Sequence, residues 1–270
     1  MSNNHMNETL RYKQKLCKVS VLTTQVSAGS FQHVLEHIVA LSERKLSSYV
    51  CFANVHMIIE AFKDSRFQKV INRADVVTTD GLPLTKYLRV FEGIAQPRVA
   101  GPDLFPALLA QAAELNKSVF FYGNTPEVLE QLRTRALRNF PQLKIAGIFS
   151  PPFRALTPQE DAEVVAMVNE TRPDFVFVSL GCPKQELWMH QHQGKINACM
   201  LGVGQAFNTY AGTDQRAPAW MQKNGLEWLY RMYCEPKRLA KRYIYTNGLF
   251  LYLVSRLYFR KIRNKELLPV

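Results

Sequence analysis

Val76-Val77-Thr78-Thr79-Asp80-Gly81 is a β-branched run that ends in a carboxylate and then a glycine. Four β-branched residues in succession favour a pleated strand, and the abrupt polar ending marks where that strand leaves the core. In open α/β sheets, ligands bind beyond the carboxyl ends of the strands, so Asp80 stands where a catalytic group belongs. The same residue serves equally well, on local sequence alone, as the N-cap of a following helix.

Outward from this run, short apolar stretches recur between amphipathic ones. Strands are predicted at 19–23, 49–53, 75–79, 118–122, 144–149, 175–179 and 198–203, with helices filling most of the gaps. That alternation is the pattern of an α/β fold, a parallel sheet covered by helices. Thr125-Pro126-Glu127 and Thr157-Pro158-Gln159-Glu160 each place a capping hydroxyl before a proline at the first helical position. Residues 104–115 also read as helix, with Pro106 tolerable in a first turn.

After Gly204 the strand signals stop. The chain of 270 residues carries a net charge of +12, and from Lys223 to Val270 eleven Lys or Arg face three Glu, so +8 of it lies in this last segment. A polyanionic partner follows from the charge, and its location points to the tail. Aromatic and basic residues mix in 227–233 and 238–245, a composition suited to helices lying at an anionic lipid headgroup boundary. The apolar run 249–254 falls well short of the roughly 20 residues a membrane span requires. The expected organisation is a flexible N-terminus over 1–15, a catalytic domain over 16–224 and a basic helical appendage over 225–270. The N-terminus lacks a signal peptide's apolar stretch, so the expected location is cytoplasmic, peripheral on the membrane's inner face.

The remaining candidates divide into ligand contacts and structural residues. Asn54 ends a strand much as Asp80 does, where its amide would orient a sugar hydroxyl or simply form a turn. Gly123-Asn124-Thr125-Pro126 opens a helix whose backbone N–H groups can face a diphosphate, although an ordinary βα turn explains it as well. Gly202-Val203-Gly204-Gln205-Ala206-Phe207 has Phe at the third glycine position and comes late in the chain, so a nicotinamide site is rejected. There is no DxD and no HExxH; His33 and His37 lack a third ligand, and His190 and His192 lack a convincing carboxylate partner. Neither a metal nor an organic cofactor is expected. Cys17, Cys51, Cys182, Cys199 and Cys234 form no CxxC and read as buried free thiols. Without a metal, a leaving diphosphate needs cations, which draws attention to Arg98, Lys184, Arg216 and Arg231.

Taken together, Asp80-Gly81, Arg98 to Leu104 and Gly181-Cys182-Pro183-Lys184-Gln185-Glu186 resemble the WecG/TagA/CpsF glycosyltransferase family. Gly202 to Gly204, Ala211-Gly212, Arg216-Ala217-Pro218 and Leu226 to Arg231 extend the resemblance, which runs from about Val19 to Phe250. It implies a Rossmann-like body and an inverting, metal-independent transfer from a UDP-sugar to a polyprenyl-diphosphate-linked acceptor in bacterial surface polysaccharide synthesis. It also implies a C-terminal appendage that meets the membrane and supplies arginines to the site.

Residue by residue, Asp80 resembles the general base, with an ordinary carboxylate pKa expected. Asn54, Gly81, Arg98, Gly123, Asn124, Lys184, Gln185, Gly204, Asn208 and Arg216 fall among the substrate-binding positions, and Arg231, Arg238 and Arg242 among the appendage arginines. Phe52 stands where several relatives have Thr, and Asn208 where the pattern usually has Asp, which leaves the donor sugar open. Oligomeric state is also left open. Two other classes compete: a UDP-sugar-modifying epimerase acting on soluble substrate, and a nucleic-acid-binding protein, for which no recognised module is present.

Overall fold

The computed structural model describes residues 16–266; the expected flexible segment 1–15 lies outside them. Six strands form one parallel sheet in the order β4-β3-β8-β7-β5-β6. They are β3 (Ser48–Ala53), β4 (Val76–Thr79), β5 (Ser118–Gly123), β6 (Lys144–Phe149), β7 (Phe175–Ser179) and β8 (Cys199–Leu201). The fold is α/β, as the alternating pattern predicted, and Rossmann-like, as the family resemblance implies.

The strand expected at 19–23 does not belong to this sheet. It is β1 (Cys17–Val21), which turns back antiparallel into β2 (Thr24–Ala28), a strand that the sequence reading missed. The turn explains the miss. Two-residue hairpin loops favour Asn-Gly or Gly-containing pairs, whereas this one uses Leu22-Thr23, with Leu22 at φ 54°. The hairpin is tied to the sheet where Val77 N donates to Ser27 Oγ at 3.1 Å.

The apolar strands bury both faces, and residue parity decides which. Val50, Phe52, Val76, Val119, Phe121, Phe175 and Phe177 point into one core, while Tyr49, Cys51, Ala53, Val77, Phe120, Tyr122, Val176 and Val178 point into the other. Helices α1 (Phe31–Glu43), α5 (Gly101–Glu114) and α6 (Pro126–Asn139) cover the first core. The second is covered by α2 (Val55–Lys63), α3 (Ser65–Arg73), α7 (Pro158–Glu170) and α8 (Lys184–His192). The short α4 (Leu82–Tyr87) leads from β4 into a π-helical turn, Leu88–Glu92.

Both predicted caps form: Thr125 accepts from Val128 N, and Thr157 makes a full capping box with Glu160. Helix α5 begins at Gly101, three residues earlier than expected, which moves Pro106 beyond the first turn.

Beyond α9 (Ala206–Ala211) the chain is helical, in α10 (Ala219–Lys223), α11 (Glu227–Cys234) and the 31-residue α12 (Pro236–Glu266). Helix α12 runs without a break through Gly248 and docks through Leu239, Thr246 and Phe250, all buried. No helix among the described residues is long and apolar enough to cross a membrane. Of the five cysteines, all free, Cys51 and Cys199 are buried and Cys182 partly so, but Cys17 and Cys234 are exposed. For those two the expectation fails because one lies on the outer hairpin strand and the other ends α11 on an open surface.

Candidate active site

Every parallel strand ends on the same edge of the sheet, so Asn54, Asp80, Asn124, Ser150, Ser179 and the turn Gly202-Val203-Gly204 are gathered there. Asp80 follows β4 directly. Its N–H donates to Ala53 O at 2.8 Å, tying it to the end of β3. The N-cap of α4 is Gly81, with no side-chain cap hydrogen bond, so the Asp80 carboxylate is not consumed as a cap. Asn54 is a cap: its Oδ1 accepts from Met57 N at 3.1 Å, and no described residue accepts from its Nδ2. A Cβ placed on Gly81 would lie 3.7 Å from Asn54 Cα, so the two strand ends are in contact.

Arg98 wraps Asp80. Its Nε donates to the Asp80 main-chain oxygen at 2.7 Å, and its Nη2 stands 3.7 Å from Asp80 Oδ1 while donating to Glu227 Oε2. Glu227 Oε1 in turn accepts from Arg216 Nε at 3.3 Å, and Arg216 Nη1 lies 2.6 Å from Asp103 Oδ1. Arg98 Nη1 and Asp103 Oδ2, 3.9 Å apart, close a ring of alternating charge beside Asp80. The Arg98 and Asp80 side chains are 17% and 23% exposed, so the charges are partly screened from water. Arg216 Nη2 is buried with no protein partner among the described residues, a donor left for an anion.

Burial pushes the Asp80 carboxyl up to about 6; Glu227 and Asp103 add to the rise, while Arg98 and Arg231 oppose it. The ordinary value expected from sequence is therefore corrected, because the strand end sits among packed side chains and like charges rather than in water. Burial works against the charge of Arg216, but its bonds to Asp103 and Glu227 more than compensate and hold it protonated.

The other expected residues fall into three settings. Arg231 belongs to the site: it donates to Gln205 Oε1, whose Nε2 donates to Asp214 Oδ2 at 2.6 Å, and its charge acts on Asp80. Arg242 lies on α12 with its Nε buried and unpartnered, near enough to His56 to hold that imidazole's pKa down, after burial itself. Arg238 is paired with Glu235 at 2.5 and 2.6 Å on the surface, outside the charge ring.

Asn124 and Asn208 meet, with Asn124 Nδ2 donating to Asn208 Oδ1 at 2.6 Å, and Asn124 adopts φ 63°. Gln185 is a buried brace: its Nε2 donates to Gly202 O at 2.6 Å and to Glu186 Oε1 at 2.8 Å. Gly123, at φ 104°, is required because a Cβ would lie 2.4 Å from Ser179 O; Gly204, at φ 52°, lies against Gln185. Lys184 is exposed at the start of α8. Phe52 points into the core, where its ring packs on Gly101.

Asp103, Gln205, Asp214 and Glu227 were missed from sequence, although Asp103 and Glu227 stand inside the motif blocks quoted above. A search for cations to hold a diphosphate passes over the carboxylates that position those cations. His192, expected to lack a carboxylate partner, has one across the fold, with its Nε2 3.0 Å from Asp161 Oδ1, but among the described residues no group of three or more His, Cys, Asp or Glu is placed to hold a metal ion.

The model of the glycosyl transferase WecG/TagA/CpsF family matches residues 19–264. The chain is similar to the N-acetylglucosaminyldiphosphoundecaprenol N-acetyl-beta-D-mannosaminyltransferase of Bacillus spizizenii, 32% identical over 197 residues that cover 73% of this chain and 75% of the relative. The Bacillus subtilis protein of that name is 30% identical over the same shares. A Staphylococcus aureus protein of that name is 25% identical over 261 residues, 96% of this chain and all of the relative. With the sheet, the strand-end carboxylate and a match across most of its length, the chain belongs to the WecG/TagA/CpsF glycosyltransferase family and is a hexosyltransferase.

Proposed function

We propose that this enzyme transfers a hexose from a UDP-sugar, with inversion, to a saccharide carried on a polyprenyl diphosphate, and that Asp80 is the general base. The observation that carries the reading is the Asp80 carboxylate itself: it lies at a strand end, caps no helix and stands beside a ring in which Arg98 and Arg216 alternate with Glu227 and Asp103. A base with a pKa near the working pH accepts a proton with the least sacrifice of either ionisation or basicity. Asp80 therefore takes the proton of the acceptor hydroxyl as that oxygen attacks the anomeric carbon, and the sugar–UDP bond breaks on the opposite face. The leaving diphosphate is stabilised by cationic side chains, with Arg216 Nη2 an available donor.

The names of the Bacillus and Staphylococcus relatives support an N-acetylglucosaminyl-diphospho-undecaprenol acceptor and an N-acetylmannosaminyl donor group. For this chain the donor sugar is N-acetylmannosamine, its uronic acid, glucose or a related hexose. The body at 16–224 carries the sheet, and 225–270 forms the membrane-associating appendage. In support, α12 exposes Ile244, Leu251, Tyr252 and Phe259 among its arginines and lysines, the mixture that suits an anionic lipid surface. The test is to incubate the full chain with a panel of UDP-sugars and polyprenyl-diphosphate monosaccharides and to identify products by mass spectrometry. The reading expects a lipid-linked disaccharide and UDP release that depends on the lipid acceptor; epimerised free UDP-sugar would refute it.

A further inference from the structure

Resting on the reading of Asp80 as the base, we propose that Glu227 is a positioning residue: it holds the Arg98 guanidinium off the Asp80 carboxylate and so keeps that carboxylate free for the acceptor's proton. Arg98 has three donor nitrogens near this edge, and each faces a different acceptor. Nε is spent on the Asp80 main-chain oxygen, Nη2 is taken by Glu227, and Nη1 faces Asp103. The 3.7 Å between Nη2 and Asp80 Oδ1 is beyond a hydrogen bond, so the guanidinium touches the base's backbone but does not close on its carboxylate. Glu227 is itself fixed from the other side by Arg216, which is anchored on Asp103.

Without the Glu227 charge, Nη2 is left with at most a neutral amide acceptor, and the nearest remaining carboxylate is Asp80. An Arg–carboxylate pair there would favour the ionised form and weaken the base. The groups facing Asp80 are Arg98 and Asp103 from the body and Glu227 and Arg231 from α11. Removing Glu227 subtracts one negative neighbour and frees Arg98, and both changes act in the same direction. A residue of α11 thereby completes the electrostatics of a base that stands at the end of β4, more than a hundred residues earlier in the chain.

The test uses the full chain with ¹³C-labelled Asp carboxyls, the Asp80 resonance being identified by its loss in Asp80→Asn. Glu227→Gln preserves shape and removes charge. The Asp80 titration midpoint should fall by about one pH unit, and the acid limb of kcat/KM should move with it. Glu227→Asp should move both by less. A Glu227 that served only to hold the fold together would lower the melting temperature and leave the midpoint unmoved.

An unmoved midpoint in folded Glu227→Gln overturns the proposal. If that variant does not fold, Glu227→Asp carries the test, and an unmoved midpoint there overturns it equally. Full turnover in Asp80→Asn would reject the base assignment instead, whatever Glu227 does to the titration, so the two failures are distinguishable.

Discussion

The strand-end edge of the sheet and the C-terminal helices are held in opposite ways. Behind the edge, two cores bury long runs of Val, Ile and Phe on both faces of the sheet, and the charged side chains at the edge are paired with one another. Helix α12 buries little beyond Leu239, Thr246 and Phe250, and leaves Ile244 and Phe259 each 69% exposed. The edge is built by burial; the tail is attached at a few points, one of which is the ion-pair ring beside Asp80. The tail therefore acts on the Asp80 carboxylate through Glu227 and Arg231, while Ile244, Leu251, Tyr252 and Phe259 of α12 stay exposed.

The largest way to test this contrast is to remove the tail. Deletion from residue 226 onward should leave the sheet folded by circular dichroism, abolish transfer and release the protein from anionic liposomes. Liposome binding equal to that of the full chain would remove the membrane role. A smaller cut is Phe250→Ala, which empties a buried site and should weaken the docking of α12 by about 3–5 kcal/mol. Hydrogen exchange should then quicken along α12 and stay slow in β5 and β7; uniform loss of protection would mean that tail and body form one cooperative unit.

The smallest of these effects is read at the edge alone. With the Asp80 carboxyl raised to about 6, transfer should fall tenfold per pH unit below that value and level off above it. Stability runs the other way for this group. Between the ordinary carboxylate value and about 6 the folded protein holds more protons than the unfolded chain, so Asp80 costs stability as pH rises through that window. An acid limb near 4 in the pH–rate profile would contradict the partly buried base.

Much of this was legible in the sequence because it is local. Strand alternation located six of the seven expected strands in the sheet, and the Thr-Pro signals marked both caps. The hairpin strand β2 was not legible because its turn, Leu22-Thr23, carries no turn chemistry. Asp80 was readable as a strand-end carboxylate, but its freedom from capping depends on Gly81 taking the cap position. The ring of Arg98, Glu227, Arg216 and Asp103 joins residues 129 positions apart, from Arg98 to Glu227, and no periodicity or motif spacing signals such a contact. Gln185 and Gly123, expected from sequence as ligand residues, also hold the fold, the one bracing Gly202 and the other approaching Ser179, and spacing alone does not signal that second role.

The central claim is that Asp80 takes the acceptor's proton in a transfer onto a lipid-linked sugar. It is tested most directly by following product and UDP release from UDP-N-acetylmannosamine, or whichever donor the panel selects, with polyprenyl-diphosphate-N-acetylglucosamine, for wild type and Asp80→Asn side by side. The account predicts a lipid-linked disaccharide from wild type, and from the folded variant a rate lower by about 10² to 10⁴. Undiminished transfer by Asp80→Asn would contradict it.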